Sequence, residues 1–511
     1  MNPGRVYLIG AGPGEPTLIS VRGQRFLSEA DVVIYDHRLH HRQLRSVRPD
    51  AERIDVGATA VQSLEQDAIA FLLADKAREG KTVARLRWGD PFIFDSGGKE
   101  ALLLYKHGIP FEVVPGIPPT IGGPCFAGVP LTYPETGDAL VFIRGHAGSS
   151  NAPPDVDWKR LATLSGTIVS YAEGSQLETI INKLLDHGRP VDEPAALIIN
   201  GTLPNQRTIQ GTLKEIQKVV HETQSRGSGV LVVGPVVGLR GYLRWFDARP
   251  LFGKRVLVTR AQEQAFELVD RLLDLGADPI EAPTIRVIPP EDLAPLDKAC
   301  ANLESFDWVV FTSANGVEAF MKQLLAGPRD IRTLGSLRLS AIGPATADRL
   351  NRYGLKVDVM PREHRAEAVF AALQQADCLK GKHVLLPRAD IARSMLPSAL
   401  RKAGANVTEV TAYKTVLADE DRDENPDIYK LLLEQEVDVV TFTSASTVRN
   451  FVKILGPGPA VDLLNTTLVA SIGPITAEAA KELGIKTTIM PQTYTIPALV
   501  DAIEDYFMES H

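Results

Sequence analysis

Three groups of residues in this chain have types and spacings suited to chemistry. Glycines crowd a turn directly after an apolar run, in Val6-Tyr-Leu-Ile-Gly10-Ala-Gly12-Pro-Gly14. Such a turn lets the backbone approach a ligand closely. A dinucleotide fingerprint would need a third glycine opening a helix, and Glu15 and Pro16 stand there instead, so a nicotinamide site is not expected. The second group is hydroxyl and glycine turns in duplicate: Thr312-Ser313 and Thr443-Ser444, with Gly343-Pro344 and Gly473-Pro474, the last pair followed by Thr346 and Thr476. A hydroxyl placed after a strand caps the following helix. Several helix N-termini aimed at one cleft also make an anion cage that needs few cations. The third group is single proton-transfer candidates, Asp36 and Tyr413. Asp36 reads either as a helix cap or as a proton acceptor. Tyr413 reads either as a packed strand tyrosine or as an acid.

The elements that must position these residues follow an α/β pattern, short β-branched runs alternating with amphipathic stretches. Strands are expected at 6–9, 256–259, 308–311 and 439–442, and helices at 262–275, 316–325, 345–353 and 476–483. The duplicated turns sit about 130 residues apart in the same order, along with Met360-Pro361 and Met490-Pro491. Two copies at so long a period indicate two similar lobes and not a solenoid. Asp247-Ala-Arg-Pro-Leu-Phe-Gly253 is the expected boundary between the two halves.

Composition bounds the rest. A chain of 511 residues exceeds one hydrophobic core. Its 55 basic and 63 acidic residues give −8, which argues against nucleic-acid and anionic-membrane binding. Three scattered cysteines, Cys125, Cys300 and Cys378, offer neither a disulfide framework nor a zinc site, and a reducing compartment fits. No apolar run approaches a spanning helix and the start carries no signal peptide, so a cytoplasmic location is expected. The histidines of Asp36-His37-Arg-Leu-His40-His41 lack carboxylate partners, and no metal is expected. The acidic run 419–427 reads as an exposed loop, and Arg388 and Arg393 as solvent-facing or carboxylate-binding.

In order, Gly10–Gly14, Arg87-Trp-Gly-Asp-Pro-Phe-Ile-Phe94, Pro115-Gly-Ile117, Ala127-Gly-Val-Pro-Leu-Thr132, Gly201-Thr202 and Val232-Val-Gly234 resemble the tetrapyrrole (precorrin-type) methylases, chiefly uroporphyrinogen-III C-methyltransferases. The resemblance implies a two-lobed fold over residues 1–247, with lobes of about 1–117 and 118–247, and S-adenosylmethionine in the cleft between them. It implies cofactor contacts at Gly10, Gly12, Pro13, Gly14, Gly89, Asp90, Ile93, Pro118, Ala172 and Gly201, an active-site aspartate at Asp36, and a homodimer through this half. Departures from that pattern are Ala58 for an active-site lysine, Trp88 for a glycine, Asp95-Ser-Gly-Gly-Lys99 for Gly-Arg-Gly-Gly-Glu, Tyr133-Pro134 for His-Arg, and Ala172 for a methionine. The lost cations would have faced a substrate with eight carboxylates.

Gly253-Lys-Arg-Val-Leu-Val-Thr-Arg260, Phe311-Thr-Ser-Ala-Asn-Gly-Val-Glu-Ala-Phe320, Tyr413-Lys-Thr415, Phe442-Thr-Ser444 and Ile472-Gly-Pro-Ile-Thr-Ala477 resemble uroporphyrinogen-III synthase. That resemblance implies two α/β lobes, 253–284 plus 415–511 and 285–414, joined by crossing strands near 283–289 and 409–416. It implies Tyr413 as the acid and Thr312, Ser313, Thr443, Ser444, Gly473 and Thr476 around the substrate. Together the expected protein is a fusion that closes hydroxymethylbilane to uroporphyrinogen III and methylates that product toward precorrin-2, the precursor of sirohaem and corrinoids such as cobalamin. No dehydrogenase or ferrochelatase module is expected. The alternatives are an active synthase carrying a methylase of altered substrate or lost activity, and a two-lobed tetrapyrrole-binding regulatory protein.

Overall fold

A computed structural model describes residues 4–36, 39, 41–48, 50–57, 66–145, 154–223, 228–260, 262–363, 366–390, 395–417 and 427–509. Ala58, His37, His40, Arg393 and most of the acidic run lie outside the described residues. The chain divides into two compact units, Met1–Val256 with Asp270–Pro279 and Ile503–His511, and Leu257–Val269 with Ile280–Ala502.

The first unit opens with a five-stranded sheet ordered Glu52–Asp55, Val32–Tyr35, Val83–Arg87, Val6–Gly10, Phe111–Val114. All four pairings are parallel. Parallel strands covered by helices on both faces read as continuous apolar runs, and Val32–Ile34 are fully buried accordingly. The connection from Val6–Gly10 runs across Val83–Arg87 to Val32–Tyr35, and the one from Val83–Arg87 runs back across Val6–Gly10 to Phe111–Val114, so the loops leaving these two neighbouring strand ends head in opposite directions. The glycine turn falls at that end.

The second sheet is mixed, ordered Leu140–Arg144, Thr167–Glu173, Ser228–Val233, Pro194–Ile199, Arg207–Thr212. Its first pairing is parallel and the remaining three antiparallel. Residues Ile168 and Ala172 face one apolar cluster with Leu177 and Ile181, whereas Val169 and Tyr171 face another with Val129 and Val236, the two-residue period of a sheet buried on both sides.

The second unit carries a five-stranded sheet ordered Ile285–Ile288, Asn406–Leu417, His383–Ala389, Trp308–Phe311, Arg338–Ala341. The antiparallel pair Ile285–Ile288 and Asn406–Leu417 occupies the segments where crossing strands were expected, with Ile285 opposite Leu417. The strands Val439–Phe442 and Leu468–Ser471 pair in parallel within a four-stranded sheet.

The internal repeat is visible in the backbone. Helices Ala314–Ala326 and Ala445–Leu455 follow caps Ser313 at φ −163°, ψ 153° and Ser444 at φ −162°, ψ 158°. Helices Pro344–Arg352 and Pro474–Glu482 follow the extended caps Gly343 and Gly473. Each copy buries the same edge-on ring pair, Phe311–Phe320 at 5.5 Å and Phe442–Phe451 at 5.6 Å. The copies differ between their helices. After Ala326 the first runs through the short turn Ile331–Ser336, whereas Gly456 at φ +86° starts a second helix, Pro457–Asn465.

Candidate functional site

In the first unit, three loops at adjacent strand ends are locked to one another through bare backbone. Gly12 and Gly89 form a two-bond bridge, N–H to carbonyl at 3.2 and 2.8 Å. A Cβ on Gly10 would lie 2.5 Å from Gly116 N, and one on Gly116 would lie 2.2 Å from the Gly89 carbonyl oxygen. Those glycines are therefore required by loop packing, whatever else they meet. Asp90 completes the brace, its two carboxylate oxygens accepting from Phe92 N at 2.8 Å and Gly116 N at 2.9 Å.

The second lobe's motif meets the same place. Glu15 N donates to Thr202 Oγ1 at 3.1 Å, and a Cβ on Gly14 would touch Leu203 at 3.0 Å. Thr202, a β-branched residue, is held at φ +75° beside Asn200 at +51°. Backbone strain of this kind costs about 1–3 kcal/mol and persists where surroundings over-determine it. Helix Pro119–Phe126, capped by Pro118, fits between the lobes because it is small on one side. A Cβ on Gly122 would lie 2.6 Å from Pro13, and one on Gly201 would lie 2.8 Å from Gly123. Thus Gly10, Gly12, Pro13, Gly14, Gly89, Asp90, Pro118 and Gly201 come together. Ile93 is about half exposed between the equally exposed Phe92 and Phe94, on the loop that follows Asp90. Ala172 is fully buried, packed into the apolar cluster on its side of the sheet.

Asp36 follows strand Val32–Tyr35 and is held by a buried charge cluster that the motifs did not reveal. Arg85 donates to Asp36 at 2.5 Å and to Glu100 at 3.2 Å, and its side chain is fully buried. Arg87 donates to Glu100 at 2.6 Å and takes Asp95 with two nitrogens. Its guanidinium is pushed up from the ordinary arginine value by these carboxylates, against burial that pushes the other way. Glu100 Oε2 is buried and has no hydrogen-bond partner among the described residues. Removing one member of such a buried set strands the others and costs about 3–5 kcal/mol. The available signal was two arginines, alternate in a strand otherwise wholly buried, with a glutamate in the next helix.

In the second unit, Tyr413 lies in strand Asn406–Leu417 and is 8% exposed. Its hydroxyl is 3.0 Å from Ser313 Oγ, which also accepts from Gly316 N at 3.0 Å at the start of helix Ala314–Ala326. Burial raises the Tyr413 pKa above its ordinary value, the Ser313 bond lowers it, and nearby Asp390 adds a smaller rise. Arg388, on the adjoining strand, pairs with Glu409 at 2.7 Å. Thr312, Thr443 and Ser444 are half-buried, and Gly473 and Thr476 are buried. Ser444 accepts from Thr447 N at 3.2 Å and lies 2.9 Å from Ser446 Oγ, completing its own capping box. The structure thus joins Ser313 to Tyr413, and the hydroxyls of the second copy bond within their own turn.

A site braced at the strand ends of one parallel sheet, and a protonated tyrosine at a helix start in another unit, describe a two-part enzyme of small molecules. The family model for tetrapyrrole (corrin/porphyrin) methylases matches residues 5–217, and that for uroporphyrinogen-III synthase HemD matches residues 267–501. The porphyrin biosynthesis protein HemD of Ruminiclostridium josui is 35% identical over 506 residues, 98% of each chain. The uroporphyrinogen-III C-methyltransferase of Bacillus subtilis (strain 168) is 35% identical over 73% of this chain and 76% of that one. Among solved structures, the uroporphyrin-III C-methyl transferase of Thermus thermophilus complexed with S-adenyl homocysteine is 33% identical over 46% of this chain and 100% of that chain, with a TM-score of 0.40.

The chain belongs to the family that fuses a tetrapyrrole methylase domain to a uroporphyrinogen-III synthase domain. It is a tetrapyrrole biosynthesis enzyme with a C-methyltransferase part and a synthase part.

Proposed function

We propose that the C-terminal half closes hydroxymethylbilane to uroporphyrinogen III with inversion of ring D, and that the N-terminal half methylates that product at two pyrrole carbons toward precorrin-2. The observation that carries the synthase reading is the Tyr413–Ser313 pair at a helix N-terminus. Tyr413, kept protonated by burial, gives its proton to the terminal hydroxyl of the linear substrate, which leaves as water. The azafulvene is attacked by the substituted carbon of ring D, the spiro intermediate fragments and recloses at the free α-carbon, and the proton lost from that carbon as the pyrrole rearomatises balances the one Tyr413 gave. Most of the protein's work is orientation, since the unfavoured carbon must attack. Substrate carboxylates are met by helix N-termini, which suits a chain of net charge −8.

For the methylase half, S-adenosylmethionine would supply an electrophilic methyl group. The residues present fit such a ligand. Thr120 Oγ1, beside Pro119, is buried without a hydrogen-bond partner among the described residues. Pro13, Gly89, Asp90 and Gly201 would hold the cofactor, and Asp36, aligned by Arg85, would take the proton released from the methylated pyrrole carbon.

A second reading, a methylase of altered substrate, is favoured by one observation. Arg87 is already saturated by Asp95 and Glu100, so it offers no unpaired charge to a polycarboxylate. Two assays decide. Conversion of hydroxymethylbilane to the type III isomer is expected, and spontaneous type I product alone would defeat the synthase reading. Labelled methyl from S-adenosylmethionine should appear on uroporphyrinogen III. Cofactor binding with no transfer would replace the first methylase reading by the second.

A further inference from the structure

Trp88 stands where the methylase pattern has glycine, directly before Gly89 and Asp90. Its indole does not point away from the site. The Nε1–H donates to the Pro13 carbonyl at 2.9 Å, and the ring lies 5.0 Å from that of Tyr171, tilted by 54°. Trp88 therefore touches the glycine turn of the first lobe and the strand of the second, at the residue next to Ala172. With its N–H bonded to Pro13 and its ring packed against that of Tyr171, the half-buried indole spans from the glycine turn to the second lobe's strand.

We propose that the face of this indole is an aromatic wall of the cofactor pocket, stacking on the adenine of S-adenosylmethionine. The proposal rests on the methylase reading above. A pre-fixed aromatic ring binds a flat heterocycle with little loss of side-chain freedom, and stacked pairs gain beyond their buried area. Because S-adenosylhomocysteine carries the same adenine without the sulfonium charge, stacking predicts that both ligands depend on Trp88 alike. A cation–π contact would favour the charged ligand only.

The test titrates the full-length protein with S-adenosylhomocysteine and with S-adenosylmethionine by calorimetry and by tryptophan emission. Trp88→Phe and Trp88→Gly both lose the bond to Pro13, so the difference between them isolates the ring. The expected result is binding within about threefold of wild type for Trp88→Phe and about tenfold or more weaker for Trp88→Gly, with both ligands. The ligand-induced change in emission should vanish in the folded Trp88→Phe protein although it still binds. Binding by Trp88→Gly equal to or tighter than wild type, dependence confined to the charged ligand, or an emission change that survives in Trp88→Phe would overturn stacking. A wild-type protein that binds neither ligand would instead overturn the methylase reading itself.

Discussion

The two copies of the internal repeat share a scaffold and differ in what their caps are asked to do. Ser313 and Ser444 adopt backbone angles within a few degrees of each other and both accept from the helix backbone. Ser444 spends its remaining capacity locally, since Thr447 Oγ1 accepts from Ser444 N at 3.2 Å and closes the capping box. In the first copy the residue at the matching place is Gly316, which has no side chain to return the bond, and Ser313 turns instead to Tyr413, a residue 100 positions away. The first copy's cap thus reaches a strand residue far along the chain, whereas the second copy's cap bonds within its own turn.

The sharpest way to break this contrast is to remove the phenol. Tyr413→Phe is expected to lower synthase turnover about 100-fold or more, the scale of a lost general acid. Its effect on stability should be about 1 kcal/mol, since the ring still packs and one hydrogen bond is lost. Measured isomer III formation alongside a thermal melt separates the two. Turnover unchanged by the substitution removes Tyr413 from the acid role and with it the asymmetry between the copies.

Serine-to-alanine changes at the two caps compare the copies directly. Each is expected to cost about 1 kcal/mol of stability as a lost N-cap. Only Ser313→Ala should also lower synthase turnover, by about tenfold, because it frees the Tyr413 hydroxyl to rotate. Equal turnover in the two variants would contradict the division of labour.

The pH dependence refines the same point. Tyr413 has its pKa raised in the folded protein, so its protonated form persists past the ordinary tyrosine value of 10.0. A raised folded value stabilises the fold fully below the unfolded pKa and ceases to do so as pH rises through the folded one. An alkaline limb of turnover above pH about 10 is therefore expected. Ser313 favours the ionised phenol, so Ser313→Ala should move that limb further up, and Ser444→Ala should leave it in place. A limb in the neutral range would assign it to another group.

Legibility from sequence followed the range of the interactions. Strands such as Val439–Phe442, and helices opening at Ser313 and Gly473, were readable because periodicity and capping are local signals. The repeat was readable because landmarks recurred in order. The bond between Tyr413 and Ser313 was not, since strand pairing alone brings them together. Nor was the setting of Asp36. Its partner Arg85 looks like an ordinary charged position until the parallel pairing of Val32–Tyr35 with Val83–Arg87 buries it, and Glu100, which shares that arginine, comes from the following helix. Gly10 and Gly116 illustrate a subtler limit. Sequence read Gly10 as a ligand contact, and the structure shows that close loop packing already demands glycine at both positions.

The smallest expected effect tests whether the copies also differ inside their cores. The parallel bridges Ser340–Val359 and Ala470–Ile489 align Ser340 with Ala470 and Ala341 with Ser471. Each copy thus carries one buried serine, in different positions. Ser471 Oγ lies 3.0 Å from Thr487 Oγ1, so its hydroxyl is satisfied. Ser340 Oγ is fully buried with no hydrogen-bond partner among the described residues. Writing the second copy's residue into the first, Ser340→Ala, removes an unsatisfied hydroxyl and is expected to be neutral or to stabilise by up to about 1 kcal/mol. The reverse transplant, Ser471→Ala, strands Thr487 and should cost about 1 kcal/mol. Adding Thr487→Val should recover most of that loss, because removing both partners of a buried bond is nearly neutral. Denaturant melts of the three variants measure it. A destabilising Ser340→Ala would mean that this hydroxyl holds a buried water or ligand, giving the first copy a second polar feature that its twin lacks.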